Sequence, residues 1–241
     1  MISISIVSHG QAELVAQALA DLARFPAPLD AEILLTLNIP EPLPFAAEDF
    51  PWPVTLVRNA GPKGFGANHN AAFRLAKGEW FCVMNPDIRL TENPFPILLE
   101  ELSLLSTAVI GPRVTTPSGE IEDSVRHFPT LSSLTAKLLG RSDGCYSLVE
   151  GGATFAADWI AGMFMLFRRE DFRTVDGFDE GFFMYYEDVD ICTRLWKAGR
   201  RVLACPKAQV IHDARRASRN NLRYMRWHIA SMIRYLWRYR W

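Results

Sequence analysis

Four cysteines (Cys82, Cys145, Cys192 and Cys205) are all that this 241-residue chain has, and no two of them share a C-x-x-C spacing. That excludes a disulfide-stapled scaffold and a cysteine zinc site. It fits small buried residues in a reducing compartment. No apolar run approaches about 18 residues, so no conventional membrane-spanning helix is expected. The N-terminus, M-I-S-I-S-I-V-S, lacks a basic region and a cleavable signal pattern and reads as a first strand. Neither G-x-G-x-x-G nor G-x-x-x-x-G-K-[ST] occurs, which removes the usual dinucleotide and P-loop readings. Disordered linker composition is also missing: 49% of the residues are hydrophobic, enough for one sizeable α/β core.

Charge is scarce in sum and uneven in place. The net charge is −1, yet residues 214–241 hold eight arginines and no acid, leaving 18 basic and 27 acidic side chains in residues 1–213. An acidic body with a basic, aromatic tail implies that the tail has its own partner.

Short apolar strands alternate with helical patterns: Ile2 to Val7, Ala31 to Leu37, Val54 to Val57 and Trp80 to Met84 are strands, and Leu14 to Leu22 and Ala71 to Ala76 lie on helices. This order predicts βαβ units and a mostly parallel sheet flanked by helices. Ligands of such sheets bind beyond the carboxyl ends of the strands. Further on, Asn93 to Leu105 reads as a helix, and Val109 to Val114 and Trp159 to Phe167 as strands. Arg201 to Ala204 and Ala208 to Ile211 read as two more strands. Residues 115–152 are irregular, with helical character near Leu131 to Leu139.

The polar segments fall at the predicted strand ends. Ser8-His9-Gly10 follows the first strand and Asn38 the second. Arg58 to Asn70 (R-N-A-G-P-K-G-F-G-A-N-H-N) follows the third and opens a helix. Its glycines and Lys63 suit a diphosphate or sugar cradle, or equally a plain Gly-rich turn. Asn85-Pro86-Asp87 ends the fourth strand, where an acid can hold a hard cation or form an Asx turn. Gly162 marks a bulge or a close approach, and Asp158 is a substrate contact or a strand-start cap. His212 matters only if it converges with Asp87. Glu187-Asp188 follows an aromatic run and opens a helix with Val189, Cys192, Leu195 and Trp196 on one face. Free N–H groups there favour carboxylates, as helix caps or as an ionised general base.

Taken in order, I-V-S, N-x-G-x-x-G-F-G-x-N-x-N, N-P-D, W-x-x-G-x-F-M-L-x-R-R, F-F-M-Y-Y-E-D-V-D-x-C-x-R-L-x-K-A-G and V-I-H resemble glycosyltransferase family 2, in its rhamnosyltransferase-like branch, over residues 1–218. The resemblance implies an α/β GT-A fold, with a donor half at about 1–114 and an acceptor half at about 115–218. It also implies inverting sugar transfer from a nucleotide diphosphate donor, helped by Mg2+ or Mn2+. On this chain it makes Asp188 the base with Glu187 beside it, and Asp87 and His212 the metal residues. The candidate donor-binding residues are Ser8, Asn38, Arg58, Asn59, Gly64, Gly66, Asn68, Asn70, Asn85, Trp159 and Gly162. Two positions depart from the family pattern. Asn85 replaces the first acid of a D-x-D motif, and Leu37 stands where relatives carry an Asp, which leaves the nucleobase contact open. The donor implied is dTDP-rhamnose, and the acceptor a saccharide or a lipid-linked one, in bacterial surface polysaccharide assembly. The competing reading is a non-catalytic sugar-nucleotide-binding or membrane-docking relative.

Residues 219–241 predict an amphipathic helix: Leu222, Met225, Ile229, Met232, Ile233 and Leu236 form a stripe flanked by Arg219, Arg223, Arg226, Arg234 and Arg238. Interleaved Tyr and Trp, including Trp241, suit an anionic bilayer surface, hence a cytoplasmic protein peripheral to the inner face of the membrane. The alternatives are packing on the body or on a second subunit as a homodimer. The acidic body argues against nucleic acid.

Overall fold

The computed structural model describes residues 1–25, 29–103, 106–138, 140, 144–213 and 222–239. Of the residues named above, Leu104, Leu105, Leu139, Arg219 and Trp241 lie outside this set.

The first half is the expected alternation. Strand β1 (Ile2–Ser8) leads to α1 (Ala12–Ala23), β2 (Ala31–Leu37), β3 (Val54–Arg58), α2 (Phe65–Phe73) and β4 (Trp80–Met84). β1 lies between β2 and β4, and β2 pairs with β3, all in parallel. The alternating sequence of β1 explains its layers. Ile2, Ile4 and Ile6 join the core cluster that includes Val15, Leu19 and Leu22 of α1. The serines face the other way and are satisfied there: Ser3 Oγ donates to Glu32 (2.6 Å), and Ser5 Oγ meets Nδ1 of His69, from α2, at 2.8 Å. His69 is buried, and that burial pulls its pKa down to about 3, so it is neutral.

After β4 come β5 (Ile88–Arg89), α3 (Phe95–Leu102), β6 (Thr107–Thr115), β7 (Val125–Arg126) and α4 (Leu131–Leu138). Then follow β8 (Phe155–Ala156), β9 (Trp159–Ile160), β10 (Phe164–Arg168), α5 (Arg169–Thr174), α6 (Glu187–Lys197), β11 (Arg201–His212) and α7 (Leu222–Tyr239). The main sheet runs β3-β2-β1-β4-β10-β6-β11-β5. β10 enters antiparallel to both β4 and β6, which makes the sheet mixed from there on.

Two strand expectations are corrected. The apolar run Trp159 to Phe167 is not one strand. It breaks into β9, paired with β7, and β10 in the main sheet, with a turn at 161–163 between them. Conversely, the two strands expected after residue 200 are one, β11, whose register against β6 shifts between Cys205 and Gln209. Pro206 lies in that bulge, where no ladder donor is required.

The tail packs on the body through one face. Tyr235 is fully buried and its hydroxyl meets Thr193 Oγ1 of α6 at 2.8 Å. Tyr239 donates to Asp190 (2.7 Å), Ser231 donates to the Met184 carbonyl (3.0 Å), and Arg234 and Arg238 both pair with Asp179. The opposite face leaves Leu222, Met225, Ile229, Ile233 and Trp237 exposed, Trp237 at 73%. Truncating the buried ring is expected to be costly. Tyr235→Ala should lose about 3–5 kcal/mol of stability, and Tyr235→Phe about 1 kcal/mol, as read by urea unfolding.

Candidate active site

The site is built on one turn. The main chain at Gly162 donates its N–H to Asp188 Oδ2 (3.0 Å), while the next carbonyl, that of Met163, accepts the N–H of Asn85 (2.9 Å). Asn85-Pro86-Asp87 and Glu187-Asp188, a hundred residues apart in sequence, are thus tied to neighbouring peptide groups. A side chain at 162 has little room: a Cβ there would stand 3.1 Å from the Phe65 ring and 3.7 Å from Asp188 Cβ. The sequence suggests a bulge or an approach by ligand or backbone at Gly162, whereas the groups that crowd it are side chains, those of Phe65 and Asp188.

Asp188 lies in the first turn of α6, half-buried, with Oδ1 accepting the N–H of Val189 (2.8 Å) and Oδ2 that of Gly162. Each oxygen keeps a second lone pair, so the carboxylate is fixed in direction and still able to take a proton. Burial raises its pKa, against the pull of these N–H groups and of Arg126. Glu187 is buried, and its Oε2 has no hydrogen-bond partner. Burial, and then the Asp188 charge, push its pKa well above the ordinary range. Desolvation outweighs the helix dipole at both carboxyls, and of the two Asp188, which has the hydrogen bonds, is the better placed to hold a charge.

The backbone entering α6 is strained. Tyr185 and Tyr186 both have φ of 69°, a left-handed conformation that costs a non-glycine residue about 1–3 kcal/mol. Packing holds it: Tyr186 stacks near Tyr235 of α7 (5.6 Å between ring centroids), and both tyrosines contact His228.

Asp87 and His212 do converge. His212 Nε2 lies 3.4 Å from Asp87 Oδ2, and its Nδ1 lies 2.7 Å from Glu122 Oε2. Burial lowers the His212 pKa, but the two carboxylates outweigh it and hold it at about 9. Asp87 Oδ1 is buried without a partner. An orphaned carboxylate oxygen beside an imidazole fits a divalent cation, provided His212 gives up its proton. Among the described residues no group of three or more His, Cys, Asp or Glu is placed to hold a metal. The protein would supply two ligands, and phosphate oxygens and water the rest, the usual arrangement for Mg2+. Glu122, unremarked in the sequence, orients the imidazole.

The expected donor-binding residues separate into two sets. Ser8, Asn38, Arg58 and Asn85 stand at the ends of β1 to β4, with Arg58 exposed. Asn59, Asn68 and Asn70 are occupied within the protein. Asn59 donates to Asn38 (2.9 Å) and Asn68 (2.7 Å), and Asn68 donates to the Lys63 and Gly64 carbonyls. Asn70 exchanges two bonds with the Phe178 backbone. Gly64 and Gly66 are required by packing: a Cβ would come within 2.5 Å of the Phe183 carbonyl oxygen and 2.6 Å of Phe178 Cβ. These five residues shape and anchor the loop. Ser8 Oγ accepts the N–H of Gln11 (3.2 Å). Trp159 donates to the His127 carbonyl (2.9 Å) and walls a cavity of about 330 Å³ beside Asp188. Asp158 accepts the Phe128 N–H and the Tyr146 hydroxyl, so the structural reading holds for it.

A mixed sheet with this strand order, carrying an acid–histidine pair off β4 and β11 and a carboxylate pair at the start of α6, has the GT-A architecture. The chain belongs to glycosyl transferase family 2, whose model matches residues 3–189. It is 34% identical over 196 residues to the rhamnosyltransferase WbbL of Escherichia coli (strain K12), covering 76% of this chain and 73% of that protein. It is 32% identical over 143 residues to an N-acetylglucosaminyl-diphospho-decaprenol L-rhamnosyltransferase of Mycobacterium tuberculosis, covering 56% of this chain and 47% of the relative. The crystal structure of GalNAc-T7 with UDP, GalNAc and Mn2+ shares the fold, with a TM-score of 0.71 at 19% identity over 92% of this chain and 44% of that one. The chain is thus a glycosyltransferase of the rhamnosyltransferase-like branch.

The acidic limb of its pH–rate profile should lie above the ordinary aspartate range. Arg126→Gln should move that limb higher still, because a cation that favours the Asp188 carboxylate is lost. A limb at or below pH 4, or a downward shift, would remove the assignment of Asp188.

Proposed function

We propose that this enzyme transfers L-rhamnose, with inversion, from dTDP-rhamnose to a lipid-linked saccharide at a membrane surface. The observation that carries the catalytic part is the turn at 162–163, which fixes Asp188 and the Asn85–Asp87 segment to the same few backbone atoms. Asp188 takes the proton of the acceptor hydroxyl as it attacks the anomeric carbon from the face opposite the nucleotide. With both oxygens held, the carboxylate does not reorient during that step, and positioned base catalysis of this kind gives about 100- to 10,000-fold. Asp87 and His212 would hold Mg2+ or Mn2+, which supplies neutralisation of the departing diphosphate. Arg58, exposed at the end of β3, suits a phosphate contact.

The choice of sugar rests on the two relatives named as rhamnosyltransferases, and the lipid-linked acceptor on the mycobacterial one named for a decaprenol diphosphate substrate. The membrane reading rests on α7. With its inner face occupied by the body, its outer apolar stripe, flanked by Arg223 and Arg226, is left for an anionic bilayer. None of the described helices is long and apolar enough to cross a membrane.

Release of nucleoside diphosphate from a panel of sugar nucleotides tests the reaction. Asp188→Asn should lower kcat by about 100-fold or more, and Asp87→Asn should raise the Mn2+ concentration needed for half-maximal rate. A wild-type chain that binds a sugar nucleotide without turnover would make it a binding module. Removing α7 is a poor test of the membrane reading, because Tyr235 is core. The double substitution Ile229→Asp/Ile233→Asp should instead abolish flotation on phosphatidylglycerol vesicles. Undiminished flotation would reject the membrane, and a doubled mass in light scattering would make the stripe a homodimer contact.

A further inference from the structure

A second cavity, of about 950 Å³, has no described lining residue in common with the one beside Asp188. One wall comes from the body, at the ends of α2 and α5 and the turn at 175–180, and the other from α7. Five arginines line it: Arg74 and Arg173 on the body, Arg194 on α6, and Arg234 and Arg238 on α7. Three acids line it as well, Asp176, Asp179 and Glu180, which leaves an excess of two positive charges. A cavity of that size with convergent guanidinium groups suits an anionic ligand.

The five differ in how firmly they are held. Arg194 is spent inside the protein, on Asp190 (2.7 Å) and on the carbonyls of Val175 and Gly177. Arg234 (3.0 Å) and Arg238 share the one carboxylate of Asp179, and Arg238 also reaches Asp190 at 3.4 Å. Three guanidinium groups thus share two carboxylates, and an anion joining them would balance the cluster. Arg173 pairs with Glu170, but the two side chains are 68% and 64% exposed, a pairing that contributes little. Arg74 is exposed and has no ion pair among the described residues. The rim carries Trp237, which lines the cavity and also continues the exposed apolar stripe of α7 one turn beyond Ile233. One indole therefore joins a cationic cavity to the face of α7 left for a bilayer, at the depth where indoles and headgroups meet.

We infer that this cavity is a headgroup site for an anionic phospholipid. Arg74 and Arg173 meet its phosphate from the body, Arg234 and Arg238 from α7, and Trp237 lies against the glycerol and the first acyl carbons. The inference rests on the membrane reading of α7 and adds to it one particular lipid-binding site. A small soluble anion would gain nothing from Trp237 or the apolar stripe, and a bilayer drawn by diffuse surface charge would need no cavity. The excess positive charge opposes a zwitterionic headgroup, whose choline would enter beside the phosphate.

The probes are dihexanoyl-phosphatidylglycerol below its micelle concentration, dihexanoyl-phosphatidylcholine and glycerol 3-phosphate, each titrated into the full chain by calorimetry. The phosphatidylglycerol should bind about tenfold or more tightly than either of the others. Arg74→Gln/Arg173→Gln should weaken it about tenfold or more, with an unchanged melting temperature. Arg226→Gln, which removes an exposed cation of α7 outside the cavity, should leave it unchanged. Equal binding of the two lipids, no binding to the wild-type chain, or wild-type affinity in Arg74→Gln/Arg173→Gln would overturn the inference. So would an equal loss in Arg226→Gln, which marks diffuse charge, or glycerol 3-phosphate binding as tightly as the lipid, which marks a site for a soluble anion. Flotation of the wild-type chain on phosphatidylglycerol vesicles separates the two readings. Flotation without binding of the monomeric lipid would count against the cavity alone. Binding of that lipid through Arg74 and Arg173 without flotation would uphold the cavity and count against the membrane reading.

Discussion

Everything chemical in this molecule hangs on a pair of hydrogen bonds made by one turn. Gly162 gives its N–H to Asp188, and Met163 takes the N–H of Asn85. Each bond is worth about 1 kcal/mol in net stability. Their value lies in geometry: they set Asp188 and the Asn85–Asp87 segment in a common frame. The turn exists because β9 belongs to a different sheet from β10, so the chain must change direction between the two. The close approach of Phe65 and Asp188 then leaves little room for a side chain at 162.

The second support is α7. The left-handed pair Tyr185–Tyr186 would relax if it could, and what prevents this is the packing of Tyr235, His228 and Ser231 against residues 184–186. The same helix bonds α6 at Asp190 and Thr193, within two turns of the base. A segment that reads from composition as an appendage is therefore part of the machinery that aims Asp188.

Much of this was legible in the chain of letters, and the reasons are physical. Strands buried on both faces announce themselves as apolar runs, and polar residues at their ends mark the crevice, so β1 to β4, Asp87 and the Glu187–Asp188 helix start could all be read. The break at 161–163 could not, because W-I-A-G-M-F-M-L-F is apolar throughout and burial looks the same in a strand and in a tight turn. Glu122 and Arg126 escaped for another reason: they sit in an irregular stretch where no period singles out any residue. The glycines at 64 and 66 were visible, but their cause, the backbone and side chain of Phe183 and Phe178, is a tertiary fact. That burial raises the pKa of Glu187 and Asp188 was not legible, because a helix start is visible in sequence and desolvation is not.

The neutral His69 beneath β1 has a consequence for the whole molecule. Its pKa, near 3 when folded, returns to an ordinary value of about 6.5 when the chain unfolds, so acid drains stability steadily across that interval. Glu187 works in the opposite sense. Its raised value means that stability falls as pH rises from the unfolded value of 4.5 towards the raised folded one, because the unfolded chain gives up this proton first. Two interior groups thus answer pH with opposite signs: His69 takes stability away as acid is added, and Glu187 as it is withdrawn.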